Sequence, residues 1–205
     1  FTLMPIIAME TQHLGLVVTA STSFSEPFHL ARSLSSLDHL SNGRAGWNIV
    51  TSGVSDAAKN FSKTTTMEHD SRYHQADEFL DVTVKLWDSW KNISQSNAEF
   101  INAQRPEPIN YVGQFYSVKG PLNIEQSPQI RPLLVQAGSS KKGIEFASKH
   151  AEVVFTAQND IDDAVTFAKD LKKQVKQKRA SQQDVLIMPG IFPVIGETRA
   201  KANAN

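Results

Sequence analysis

Ser41-Asn42-Gly43-Arg44-Ala45-Gly46-Trp47-Asn48-Ile49-Val50-Thr51-Ser52 is where one periodicity gives way to another. Before it, Leu30, Leu34, Leu37 and Leu40 recur at helical spacing as a single apolar stripe, and after Gly43 a short run of β-formers begins. Glycine tolerates the left-handed backbone that ends a helix, so the stretch reads as a helix handing over to a strand at about 45 to 51. That strand leaves through Asn48, Thr51 and Ser52 instead of further apolar residues. In α/β proteins ligands gather at the C-terminal ends of strands, and turn capping is the competing use of the same side chains.

Working outward, residues 3 to 12 read as a helix and Leu14 to Thr19 as a buried strand with a polar exit, Thr19-Ala20-Ser21-Thr22-Ser23. Ser25-Glu26-Pro27 opens the Leu-striped helix. Downstream, a loop rich in Ser and Thr leads to the longest helix, His69 to Trp90. Its wide stripe of Tyr73, Ala76, Leu80 and Thr83 beside Phe79, Val82, Leu86 and Trp90 predicts a core face. From about 92 to 131 prolines and glycines break the pattern. With Phe115 to Val118 as a short strand, this segment reads as an aromatic excursion inside the domain.

Alternation then resumes: strand Leu133 to Gln136, a helix to His150, strand Val153 to Thr156, a helix from about Asp160 to Arg179, and a strand region from Asp184 to Ile195 before a last helix. Acidic residues open the 160–179 helix and Lys172, Lys173, Lys176, Lys178 and Arg179 close it, as the helix dipole favours. Five strand-helix units demand a parallel sheet, either open and doubly wound or closed as a (β/α) barrel, and periodicity leaves both open.

Composition narrows the function. The 205 residues carry 21 basic and 21 acidic side chains, so no net field draws the chain to nucleic acid or an acidic membrane. No cysteine is present, which excludes disulfides, thiolate metal sites and a cysteine nucleophile. No apolar run approaches the roughly 20 residues of a membrane span, and the expected compartment is the cytoplasm. The histidines show no helical zinc spacing, so no metal is expected.

Two groups point to chemistry. Gln136-Ala137-Gly138-Ser139-Ser140 ends a strand immediately before a helix, where backbone N–H groups, the hydroxyls of Ser139 and Ser140 and the helix dipole suit a phosphate; a plain helix cap is the alternative. His69 and Tyr73, four apart at a helix start, share one face. The carboxylates Glu68, Asp70, Asp77, Glu78 and Asp81 on the same helix read as an exposed face. No dinucleotide or P-loop glycine fingerprint follows any strand, and no Gly-x-Ser-x-Gly elbow is present.

These motifs together, from Thr19-Ala20-Ser21-Thr22-Ser23 through Leu40 to Ser52, His69-Asp70-Ser71-Arg72-Tyr73, and Gln136 to Ser140 followed by Phe146 to Glu152, resemble the nitrilotriacetate monooxygenase (component A) group of the bacterial luciferase-like flavin monooxygenases. The resemblance implies a (β/α)8 TIM-type barrel, here about five units of it. It also implies reduced FMN as cofactor, supplied by a separate NAD(P)H:flavin reductase, and O2-dependent oxygenation of a small organic substrate. Thr19 and Asn48 would approach the flavin ring, His69 and Tyr73 would hold the ribityl-phosphate side, and Ser139 and Ser140 would receive the phosphate.

Similar proteins run longer at both ends, and Tyr111-Val112-Gly113 stands where they tend to carry His-x-Gly. Five units do not close a barrel that takes eight and about 250 residues. The expectation is therefore a partial chain whose open sheet edges need another segment or copy, which predicts a homo-oligomer. A non-catalytic flavin- or phosphate-binding remnant, or an interaction protein, is the alternative, and a related barrel oxidoreductase with another deazaflavin or flavin cofactor is a third. No catalytic residue is assigned, and the substrate is not written in the motifs.

Overall fold

The structure, a computed structural model, describes residues 1–91, 105–158, 160–179 and 184–204; part of the expected 92–131 excursion lies outside the described residues. The chain runs α1 (Met4–Glu10), β1 (Leu16–Ser21), α2 (Pro27–Ser41), β2 (Ala45–Val50), α3 (Ser55–Lys59), α4 (His69–Asp88), β3 (Tyr111–Val112), β4 (Ser117–Val118), β5 (Leu133–Gln136), α5 (Lys141–His150), β6 (Val153–Thr156), α6 (Ile161–Lys178), β7 (Leu186–Pro189) and α7 (Arg199–Ala204).

The helix-to-strand handover occurs where glycine places it. Asn42 and Gly43 both take positive φ, 53° and 82°, and their N–H groups cap α2 on the carbonyls of His39 and Asp38. Arg44 then turns back, and all five of its guanidinium donors are used. Nε donates to the Ser41 carbonyl (2.7 Å), Nη1 to the Leu14 carbonyl (2.6 Å) and Thr11 Oγ1 (3.0 Å), and Nη2 to the carbonyls of Ala8 (2.8 Å) and Thr11 (2.7 Å). The end of α1, the entry to β1 and the entry to β2 are thereby pinned to one planar group. Asp38, fully buried, joins the same corner to a distant segment. Its carboxylate accepts from Ala45 N, Gln129 N and Gln129 Nε2, while Gln129 Nε2 also donates to the Ala45 carbonyl.

β1, β2, β5, β6 and β7 form one sheet in that order, every pair parallel. Each new strand joins the edge formed by the last, with no reversal of order. A doubly wound sheet reverses at a switch point, so this unidirectional winding is that of a barrel wall. Register sorts the two faces. Leu16, Val18, Trp47, Ile49, Leu134 and Val154 are buried, and Trp47 and Trp87 are among the largest fully buried side chains of a core shared with Leu34, Phe79 and Leu86. A second cluster joins Ala147, Val154, Leu171 and Val175. The alternate residues Val17, Phe155, Leu186 and Met188 are exposed on the other face, which also carries Thr19 and Asn48.

The excursion folds back as an antiparallel pair, β3 with β4, seated on α4. Glu78 holds it: its carboxylate accepts from the backbone N–H groups of Gln114, Phe115 and Tyr116. Gly113 lies against the same carboxylate, so closely that a Cβ there would overlap Glu78 Oε1. Glu78 is therefore a loop anchor, not part of a solvated face.

Several expected boundaries shift. β1 starts two residues later than expected and extends through Ser21. The short strand near 115 is confined to Ser117 and Val118. α3 interrupts the expected loop, and the strand of the 184–195 region runs from Leu186 to Pro189. Leu40, expected in the α2 stripe, is exposed because at about 100° per residue it points to the side of the face formed by Leu30, Leu34 and Leu37, which Ser41 continues; those three leucines and Ser41 are buried.

Lysine at position 44 would keep the charge and lose the planar fork. Arg44→Lys and Arg44→Ala are both expected to lower stability by about 2–4 kcal/mol, read from urea unfolding midpoints, with lysine restoring little of the loss.

Candidate functional site

Parallel winding brings the C-terminal ends of β1, β2 and β5 to one side of the sheet. Thr19 and Asn48 face each other in register across β1 and β2, and Asn48 Nδ2 donates to Thr19 Oγ1 at 3.1 Å. The other end of that amide, Asn48 Oδ1, is buried without a protein partner. One row further, Ser52 Oγ donates to Ser21 Oγ at 2.8 Å, so part of the polar exit from these strands closes on itself.

The turn after β5 is built from close backbone packing. Ser140 caps α5, its Oγ accepting from Gly143 N at 3.1 Å, and Ser139 and Ser140 both reach solvent. A Cβ on Gly143 would stand 3.1 Å from Gly138 Cα and 3.0 Å from the Tyr73 hydroxyl, so the phenol of α4 lies directly against the first turn of α5. The cap reading of Ser140 and a phosphate role are compatible: its oxygen accepts from Gly143 N and its hydrogen stays free to donate.

His69 and Tyr73 share one face as their spacing predicts. Their ring centroids are 5.1 Å apart, and Tyr73 lies 6.0 Å from Phe146 of α5. His69 Nδ1 donates to Asp70 Oδ1 at 3.1 Å, with Lys142 of α5 3.8 Å from the same carboxylate; His69's hydrogen bond first and Lys142's charge after it hold the Asp70 carboxyl below its ordinary range. Two turns along, Asp77 accepts from His150 Nε2 at 2.7 Å and lies 3.6 Å from Lys149. Burial opposes ionisation of Asp77, but the His150 hydrogen bond and the charges of His150 and Lys149 outweigh it and keep its carboxyl below 3.8.

The structure thus gathers His69, Tyr73 and Ser140 where the first turns of α4 and α5 meet, with Ser139 beside them, and pairs Thr19 with Asn48 on the sheet. Sequence reading gave Gly143 and Gln136 no role of their own within the Gly-Ser-Ser stretch, and it read Asp77 as part of an exposed face. Gln136 is buried, its amide nitrogen fills the space that a Cβ on Gly138 would need, and its Oε1 has no protein partner. A second glycine five residues after Gly138 was the available signal for Gly143; nothing local marks Asp77, whose partner lies 73 residues away.

Compared with known proteins, the whole of residues 1–205 matches the model of the luciferase-like monooxygenases. The chain belongs to this family. The match agrees with the barrel-type strand order. Among curated relatives, the chain is 45% identical to an N-acetyl-S-(2-succino)cysteine monooxygenase of Bacillus subtilis (strain 168), over all of this chain and 47% of the relative. It is 41% identical to nitrilotriacetate monooxygenase component A of Aminobacter aminovorans, over all of this chain and 46% of that protein. The crystal structure of a long-chain alkane monooxygenase superposes on 99% of this luciferase-like chain and 48% of its own, with a TM-score of 0.90 and 38% identity. A riboflavin lyase solved with modified FMN and riboflavin superposes with a TM-score of 0.85 at 32% identity, over 99% of this chain and 46% of the lyase. This luciferase-like chain spans about half the length of these relatives, and its five strand-helix units are that portion of a TIM-type barrel. Among the described residues no helix is long and apolar enough to cross a membrane.

The depressed Asp77 carboxyl gives the α4–α5 contact a pH signature. A group whose folded value lies below its unfolded one contributes stability that is present above 3.8 and lost as pH falls through the folded value. Asp77→Asn is expected to lower stability at neutral pH and to flatten the acid limb of a stability-versus-pH curve measured by denaturant titration. An unchanged acid limb would show that the carboxylate contributes nothing.

Proposed function

We propose that the chain is the flavin-holding part of a two-component, FMN-dependent monooxygenase. Reduced FMN comes from a separate NAD(P)H:flavin reductase in the cytoplasm, and a small organic substrate is oxygenated with O2 in a homo-oligomeric protein. The observation that carries this reading is the seating of the Tyr73 hydroxyl against Gly143 at the N-terminus of α5, beside His69 and the Ser140 cap. A helix N-terminus with two available hydroxyl hydrogens suits a dianionic phosphate. Asn48 adds a fit at the other end of the ligand: Oδ1, buried and without a protein partner, offers an acceptor to a ring N–H.

In this reading Ser139 and Ser140 donate to the phosphate, and His69 and Tyr73 flank the ribityl-phosphate side. Thr19 fixes the Asn48 amide through its own hydrogen bond, so that Oδ1 keeps one orientation toward the ring. The flavin, when bound, supplies the electrons that reduce O2. These residues bind and orient; the substrate pocket belongs to loops and strands beyond them.

Flavin fluorescence titration tests the reading with FMN and phosphate-free riboflavin side by side. Aspartate caps a helix as well as serine does, so Ser140→Asp is expected to leave the fold intact while repelling the phosphate. Affinity for FMN should fall about tenfold or more, equivalent to about 1.4 kcal/mol, and that for riboflavin should hardly change. Equal FMN affinity in the wild type and Ser140→Asp would overturn the phosphate assignment. Reductase-dependent oxygen uptake then separates turnover from binding alone.

A further inference from the structure

The loop that leaves β1, the loop that leaves β2 and the first turns of α4 enclose a small cavity between Ser23, Phe24, Ser52, Lys63, Thr66, Met67, Arg72 and Gln75, with about 10 Å³ in which the centre of a water molecule fits. Three polar atoms on these lining residues are buried without a protein partner: Ser23 Oγ, Arg72 Nε and Gln75 Oε1. Ser23 and Gln75 are themselves more than nine-tenths buried, at 7% and 9% exposure. Leaving even one such group unmet costs about 1–3 kcal/mol, so three around one space point to a common partner.

The surrounding network fixes what each atom offers. Gln75 Nε2 donates to the Tyr116 hydroxyl at 2.9 Å, and that hydroxyl donates onward to the Thr22 carbonyl at 3.3 Å. Burial raises the Tyr116 hydroxyl far above its ordinary range, so it stays protonated and keeps this direction. The amide is thereby oriented with Oε1 left to accept. Arg72 Nη1 donates to the Met67 carbonyl at 2.6 Å and Nη2 lies against Gly53, leaving Nε–H to donate. Lys63 Nζ is engaged by the Ser23 carbonyl at 2.8 Å, and Ser52 by Ser21.

We propose that this cavity is a binding site for one internal water molecule, which accepts from Arg72 Nε–H and donates to Gln75 Oε1 and Ser23 Oγ. The mixed donor and acceptor set selects water over an anion, because the Gln75 carbonyl oxygen presents negative charge to the same space. Its size selects one molecule, since about 10–15 Å³ of such space is what a single buried water requires. The water bridges the β1 exit to α4 and completes the bracing of Arg72, next in sequence to Tyr73.

The test is a high-resolution crystal structure of the protein, with a second crystal soaked in bromide. The expected result is one density peak within hydrogen-bond distance of Arg72 Nε, Gln75 Oε1 and Ser23 Oγ, with no anomalous bromide signal. In solution, an Nε-labelled arginine spectrum should show cross-relaxation between Arg72 Nε–H and a long-lived water, assigned by its loss in Arg72→Lys. A cavity without density, or a bromide peak within it, would overturn the proposal. Neither outcome bears on flavin binding, which is read separately by titration.

Discussion

A buried carboxylate held by N–H groups sets the geometry of this wall. Asp38 is stabilised by the backbone and side-chain N–H groups of Gln129 and by Ala45 N, so the end of α2, the start of β2 and the approach to β5 meet at one point. Asp38 and Gln129 are 91 apart in sequence. Because Gln129 precedes β5 by only a few residues, fixing it beside Ala45 delivers β5 to the free edge of β2 after the whole excursion. A charge in this position is costly unless every lone pair is met, and here the partners are supplied by the segments that must be brought together.

Arg44 does the complementary job on the other side of the same corner. Helix α1 and the strand entry both end in unpaired carbonyls, and a single planar guanidinium collects them. Between them, Asp38 and Arg44 make the N-terminal ends of β1 and β2 rigid. The C-terminal ends, where Thr19, Asn48 and the Ser140 turn lie, are then free to carry exposed hydroxyls and an unmet amide oxygen without loosening the sheet. The bracing residues and the candidate site thus occupy opposite ends of the same strands, the arrangement general to barrel enzymes.

The α4–α5 contact links this frame to the candidate site. Tyr73 reaches α5 because Gly143 has no side chain to exclude it, and the Asp77–His150 and Asp70–Lys142 contacts keep the two helices side by side. Glu78, on the same helix, turns the other way and holds the β3–β4 hairpin by three backbone N–H groups. One helix thus serves the sheet, the turn and the excursion from three of its faces. Its acidic residues, which composition alone would assign to solvent, divide between these tasks.

What the sequence determined by itself is what depends on neighbours a few residues away. The alternation of strands and helices follows from local periodicity and capping, as do the stop at Gly43, the Ser140 cap and the shared face of His69 and Tyr73. The motifs spread over the chain were enough to name the family. Tertiary structure alone decided the order of the strands, which periodicity left open between barrel and doubly wound sheet. It also brought Gln129 to Asp38, the carbonyls of Ala8, Thr11 and Leu14 to Arg44, the β3–β4 hairpin to Glu78 and His150 to Asp77. Those partners lie tens of residues away, and a carboxylate or guanidinium on a helix has the same local pattern whether it meets water or a distant backbone. Only packing, by removing the water, decides between the two.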